Sequence, residues 1–125
     1  MDRPNPLPPT LRDRRRYLAF QIISESKINF NDLSNSIWHS VLNLLGEKGA
    51  AESESWISKT VYDDPKQIGL IRCSHLSVEN IRASLALIDR IGDVRIVVKV
   101  LGVSGTIKAA QAKFFSEGKL TEFVR

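Results

Sequence analysis

The chain has 125 residues, one cysteine and a formal net charge of +4, with a pI near 9.5. A domain of this length buries roughly two-thirds of its unfolded surface without a staple, and one cysteine excludes an intrachain disulfide framework or a cysteine-based metal site. No apolar run approaches the ~20 residues of a membrane span, and prolines stand where a signal peptide needs its apolar core, so a cytoplasmic, soluble protein is expected.

Residues 1–11 contain Pro4, Pro6, Pro8 and Pro9 and little that could be buried, so they read as a flexible proline-rich arm. Residues 12–125 read as a single domain. Residues 15–24 are aromatic, β-branched or apolar and predict a strand, with Leu18, Phe20 and Ile22 on one side and Tyr17, Ala19, Gln21 and Ile23 on the other. Asn31 is the expected N-cap of a helix carrying Leu33, Ile37, Val41 and Leu44 on one face. Trp38, Leu42 and Leu45 widen that stripe, and Gly46 is expected to end it.

Residues 54–74 predict two strands around an Asp64-Pro65 turn. Ser77 is then expected to cap a helix with Val78, Ile81, Leu85 and Ile88 on one face, ended by Gly92 and Asp93. Residues 94–102 alternate as a strand, with Val94, Ile96, Val98 and Val100 opposite Arg95, Val97, Lys99 and Leu101. A shorter helix is predicted from 106 to about 116.

The order β-α-β-β-α-β with a terminal helix predicts an α+β, ferredoxin-like sandwich, two helices covering one face of the sheet. The other face is expected to be open and to present Tyr17, Gln21, Leu70, Arg72, Arg95 and Lys99, which suits either an RNA platform or a protein interface.

Charge is unevenly placed. Residues 1–16 carry five arginines against two aspartates, residues 95–125 carry six cations against two anions, and the middle is net acidic. Two basic ends form one patch if the fold unites them, although basic termini are also commonly just solvated. In "LGVSGTIKAAQAKFF", Gly102 and Gly105 bracket Val103 and Ser104, and Thr106 can cap a helix whose first turn holds Lys108. Such a turn can contact phosphate, or its glycines can serve geometry alone. The spacing matches neither a P-loop nor a dinucleotide fingerprint.

Protein-based catalysis has little support. His39 and His75 have no local nucleophile partner, and Cys73 falls on the helix-covered side of its strand. Asp63 and Asp64 are the adjacent carboxylates that could hold Mg²⁺ for phosphodiester hydrolysis, but aspartate before proline also suits a turn. An RNA-recognition motif of the usual kind needs aromatics on its third strand, and "QIGLIRC" has none, so RNA binding through phosphate and shape is expected.

"LPPTLRDRRRYLAFQII", "GLIRC" and "VLGVSGTIKAAQAKF" together resemble ribonuclease P protein component 2, of the archaeal type, over nearly the whole chain. The resemblance implies a ferredoxin-like fold and a supporting role in removing the 5′ leader of precursor tRNA. It implies that the RNA subunit, with its Mg²⁺, performs the hydrolysis, while this chain is non-catalytic and binds no cofactor or metal. It also implies pairing with protein component 3, as two copies of each. RNA contacts are then expected from Arg12, Arg14, Arg15 and Arg16, and from Lys99, Gly102, Ser104, Gly105, Thr106, Lys108 and Lys113. A stand-alone ferredoxin-like RNA-binding or ligand-sensing module remains the alternative reading of the residues alone.

Overall fold

The computed structural model describes residues 15–115. The proline-rich arm, its boundary with the domain, Arg12, Arg14 and the residues from 116 onward lie outside that span. In chain order the elements are β1 (Arg15–Ser24), α1 (Phe30–Ser53), β2 (Trp56–Ile57), β3 (Ile68–Ser74), a 3₁₀ turn (His75–Ser77), α2 (Val78–Ala86), β4 (Arg90–Ile91), β5 (Val94–Ser104) and α3 (Ile107–Ala110), which continues as a wider π-helical turn over Gln111–Phe115.

Among the described residues one antiparallel sheet forms, in the order β2-β3-β1-β5-β4. β1 is central because both of its faces are apolar: Leu18, Ala19 and Phe20 are all fully buried. Leu18, Phe20 and Ile22 meet Leu33, Ile37 and Val41 of α1 and Ile81 and Leu85 of α2 in the main core. Truncating the completely buried Phe20 to alanine is worth about 3–5 kcal/mol. The helices approach each other through serines: Ser40 Oγ donates to Ser84 O at 2.6 Å, and Ser84 Oγ donates to Asn80 O at 2.9 Å. These bonds satisfy two buried hydroxyls that would otherwise weaken the core.

Several boundaries differ from expectation. The N-cap of α1 is Asn29, not Asn31; its Oδ1 accepts from Asn31 N at 2.7 Å, the backbone group that an N-cap side chain reaches. Gly46 bends the helix rather than ending it, at φ 75°, and helical structure resumes to Ser53. Trp38 and Leu44 remain exposed, so the apolar stripe is narrower than it reads. The helix after β3 is approached through a 3₁₀ turn capped by the Ser74 side chain, while Ser77 makes no side-chain cap.

Gly92 and Asp93 do not stop that helix, which ends at Ala86. They form the turn of a small hairpin, β4 to β5, that the sequence reading missed. Gly92 has φ 61°, the left-handed geometry a two-residue hairpin turn favours and glycine supplies at no steric cost.

The second face of the sheet is not open. Ala19 and Leu70 are buried there beneath Ala110 and Phe114, with Tyr17, Leu101 and Ile107 packed around them. The physical reason is a bulge: β1–β5 register slips between Ala19 and Phe20, because Ala19 pairs with Gly102 while Phe20 pairs with Val100. Leu101 is the extra residue, so it and Gly102 both serve the α3 side, and Val103 returns to the main core.

Candidate nucleic-acid interface

Antiparallel pairing decides which basic residues meet. The start of β1 lies beside the end of β5, since Tyr17 pairs with Ser104. Arg15 and Arg16 therefore stand next to the turn at Ser104, Gly105 and Thr106 that leads into Lys108. Arg16 Nη1 donates to Arg15 O at 2.7 Å, and both arginines have further interactions. Thr106 caps α3 as anticipated, its Oγ1 accepting from Ala109 N at 3.1 Å, and Ser104 Oγ accepts from Thr106 N at 3.5 Å. Lys108 is exposed, and a Cβ added at Gly105 would meet nothing within 4 Å.

Other candidates fall elsewhere. Lys99 pairs with Gln21, about 15 Å along the strand from Ser104. Arg95 pairs with Arg90 at the far hairpin. Exposed Ile23 and Val97 separate those two positions as a paired row. Lys113 is exposed on the outer side of the C-terminal helical turn, with Nζ 5.8 Å from the Phe114 ring. The basic sequence candidates thus divide into one convergent group, from Arg15 to Lys108, and a distal pair, Lys99 and Arg95, the latter beside Arg90.

Of the residues expected on an open face, Leu70 is 3% exposed and available to nothing outside the fold. Gln21 Nε2 donates to Lys66 O at 3.1 Å, and Tyr17 packs against the α3 layer. Arg72 places its guanidinium 4.9 Å from the centroid of the Trp56 ring. Gly102 has a packing explanation: a Cβ there would stand 2.4 Å from Phe114 Cζ.

Asp63 is engaged within its own turn, and Asp64 reaches across to the segment after β1. Asp63 Oδ1 accepts from Lys66 N at 3.2 Å, and Asp64 pairs with Lys27 at 2.7 Å. Among the described residues no group of three or more His, Cys, Asp or Glu side chains could hold a metal ion. His39 is exposed on α1 and His75 opens the 3₁₀ turn, on separate elements. Cys73 is fully buried, and burial pushes its thiol up to about 11, which keeps it protonated and unreactive. No described helix is long and apolar enough to cross a membrane.

Two clefts were not anticipated from the sequence. A cleft of about 720 Å³ at the start of α1 is lined by Lys27, Lys59, Asn29, Asn31, Tyr62 and Asp64. One to two turns further along α1, Trp38 and Trp56 line a cleft of about 240 Å³ with Ile37, Ile57 and Ile71.

Residues 16–115 match the family described as Rpp14/Pop5. The chain is 44% identical to ribonuclease P protein component 2 of Pyrococcus furiosus over 116 residues, covering 93% of this chain and 95% of the relative. It is 39% identical to the component 2 of Archaeoglobus fulgidus over 108 residues, with 86% and 94% covered. It is also 42% identical to that of Methanosarcina barkeri over 106 residues, with 85% and 76% covered. The fold is similar to a chain in the cryo-EM structure of yeast ribonuclease MRP, with a TM-score of 0.60 at 14% identity, covering 90% of this chain and 97% of that one.

Proposed function

The chain belongs to the Rpp14/Pop5 family, and on that premise we propose that it works as a protein subunit of ribonuclease P, in the removal of the 5′ leader from precursor tRNA. The observation that carries this reading is the 44% identity to an archaeal ribonuclease P protein along 93% of the chain. A strand order with 15–24 central and 56–57 at the edge supports a ferredoxin-like description of the sandwich.

The division of labour follows from the side chains. Phosphodiester hydrolysis needs a positioned metal or an acid–base pair, and the carboxylates at 63 and 64 are held by Lys66 N–H and by Lys27. In this reading the RNA subunit and its Mg²⁺ supply the chemistry, and the protein supplies cations and shape. Arg15, Arg16, Ser104, Gly105, Thr106 and Lys108 form the nearest approach of basic and N–H-donating groups. Arg12 and Arg14 extend it in sequence, while Gly102 sets the closeness of the turn to α3. Lys99, Lys113 and Arg95 reach other parts of the same RNA. Protein component 3 is the proposed protein partner, in a two-plus-two assembly.

The test is reconstituted precursor-tRNA cleavage with the RNA subunit, Mg²⁺ and component 3, with and without this chain. Slower cleavage or a higher Mg²⁺ requirement on omission is expected. An unchanged rate overturns the reading in favour of a free-standing RNA-binding module.

A further inference from the structure

One row of side chains crosses the second face of the sheet and ends at an indole. Tyr17 pairs with Arg72, and Arg72 pairs with Trp56, so the three stand side by side on adjacent strands. The Arg72 guanidinium lies 4.9 Å from the Trp56 ring centroid, within cation–π range. Among the described residues β2 is the edge of the sheet, so no strand of theirs lies beyond Trp56, and the residue is 52% exposed. Ser104 flanks Tyr17 on its other side, and Arg15 pairs with Ser74 in the next row. No carboxylate occupies any of these six positions. Arg15 is diagonal to Arg72, about 7–8 Å away on a pleated sheet.

Arg72 occupies one side of the indole and leaves the outer side to a further flat partner. Unpaired bases in RNA stack on aromatic rings and guanidinium planes, and each base carries a phosphate that arginines attract. An apolar peptide side chain would also cover the indole, but it would gain nothing from the Arg72 guanidinium beside the ring. Charge therefore favours RNA.

We propose that Trp56 stacks an unpaired base of single-stranded RNA, extending the Tyr17–Arg72–Trp56 row by one ring, while Arg72 and Arg15 hold the neighbouring phosphates. The inference rests on the ribonuclease P reading and adds to it a base-stacking contact, where the sequence pointed to phosphate contacts alone.

The test uses the full chain carrying Trp38→Phe, which leaves Trp56 as the sole indole, and an unstructured oligouridylate as probe. RNA should quench the fluorescence of Trp56. Trp56→Ala should weaken oligouridylate binding roughly 5- to 150-fold with an unchanged salt slope, since a stacked base releases no counterions. Trp56→Phe should keep most of the affinity, which separates stacking from loss of fold, and Arg72→Lys should weaken binding while keeping the charge. Binding to an RNA duplex should not respond to Trp56→Ala.

Wild-type affinity of the alanine variant, or quenching only by an added protein subunit, overturns the proposal. Reconstituted cleavage separates the two levels. If cleavage needs the chain but oligouridylate binding ignores Trp56, the stacking inference alone fails. If cleavage does not need the chain, the ribonuclease P reading fails.

Discussion

Gly102 lies beneath the ring of Phe114, so close that a Cβ at 102 would stand 2.4 Å from Cζ and 2.5 Å from Cε1. The ring cannot simply swing aside, because Phe114 is 8% exposed and packs with Ala19, Leu70 and Ala110. Gly102→Ala should therefore destabilise the protein by about 1–3 kcal/mol, the usual cost of overpacking. Adding Phe114→Leu should recover part of that loss. Urea unfolding of the two variants checks both outcomes, and additive losses would show that the two positions are not in contact.

A second prediction concerns the join between β1 and α1. Gln67 holds a left-handed backbone, φ 56°, and its side chain ties the segment after β1 in place. Its Oε1 accepts from Ile28 N at 2.8 Å, while Nε2 donates to Ile22 O and to Ser24 Oγ, both at 3.1 Å. Gln67→Ala leaves part-buried backbone groups without partners and should cost about 1–3 kcal/mol. Gln67→Gly loses the same bonds but relieves the left-handed strain, and should be the more stable of the two by about 1 kcal/mol. Equal stability in thermal unfolding would count against the strain.

These two sites mark where the sequence could and could not be read. Alternation in 15–24 and 94–102 and the 3.6-residue period of Leu33, Ile37 and Val41 give strands and helices, because burial on one face imposes that period. Period says nothing about which face the final helix covers. The bulge that turns Leu101 and Gly102 toward Phe114 depends on pairing with a strand some eighty residues earlier. For the same reason Leu70 reads as a surface residue and is buried. The two-residue strand β4 carries too little pattern to detect. In the site, the cations themselves were legible, but only the pairing of Tyr17 with Ser104 separates the convergent group from Lys99 and Arg95.

The buried hydroxyl of Tyr62 predicts a pH dependence. It has no hydrogen-bond partner among the described residues, and its ring lies against Phe30, with centroids 5.1 Å apart. Burial, reinforced by the charges of Asp64 and Asp63, pushes its ionisation up to about 12 from an ordinary 10. A group whose proton is held more tightly in the folded state contributes stability below its unfolded value, and that contribution is lost as pH rises through the folded one. Tyr62→Phe should therefore change stability little at pH 7, or raise it slightly. Its advantage over the wild type should grow between pH 10 and 12. Parallel stability curves across that window would show that Tyr62 ionises freely in the folded protein.

The convergence of Arg15 with the 104–108 turn makes a quantitative prediction about RNA. Each phosphate contact releases condensed counterions, so its loss lowers the slope of log affinity against log salt by roughly 0.7–0.9. Arg15→Ala and Lys108→Ala should each lower affinity for the ribonuclease P RNA and reduce the slope by that amount. The double variant should lose about twice as much, because both act on one backbone path through independent charges. Arg95→Ala, at the far hairpin beside Arg90, tests whether the same RNA extends across the exposed Ile23–Val97 row. A reduced slope there requires an RNA element spanning both ends of β5, whereas an unchanged slope confines the contact to the end shared by β1 and α3. Wild-type slopes in both Arg15→Ala and Lys108→Ala would remove that end of the sheet from the RNA interface.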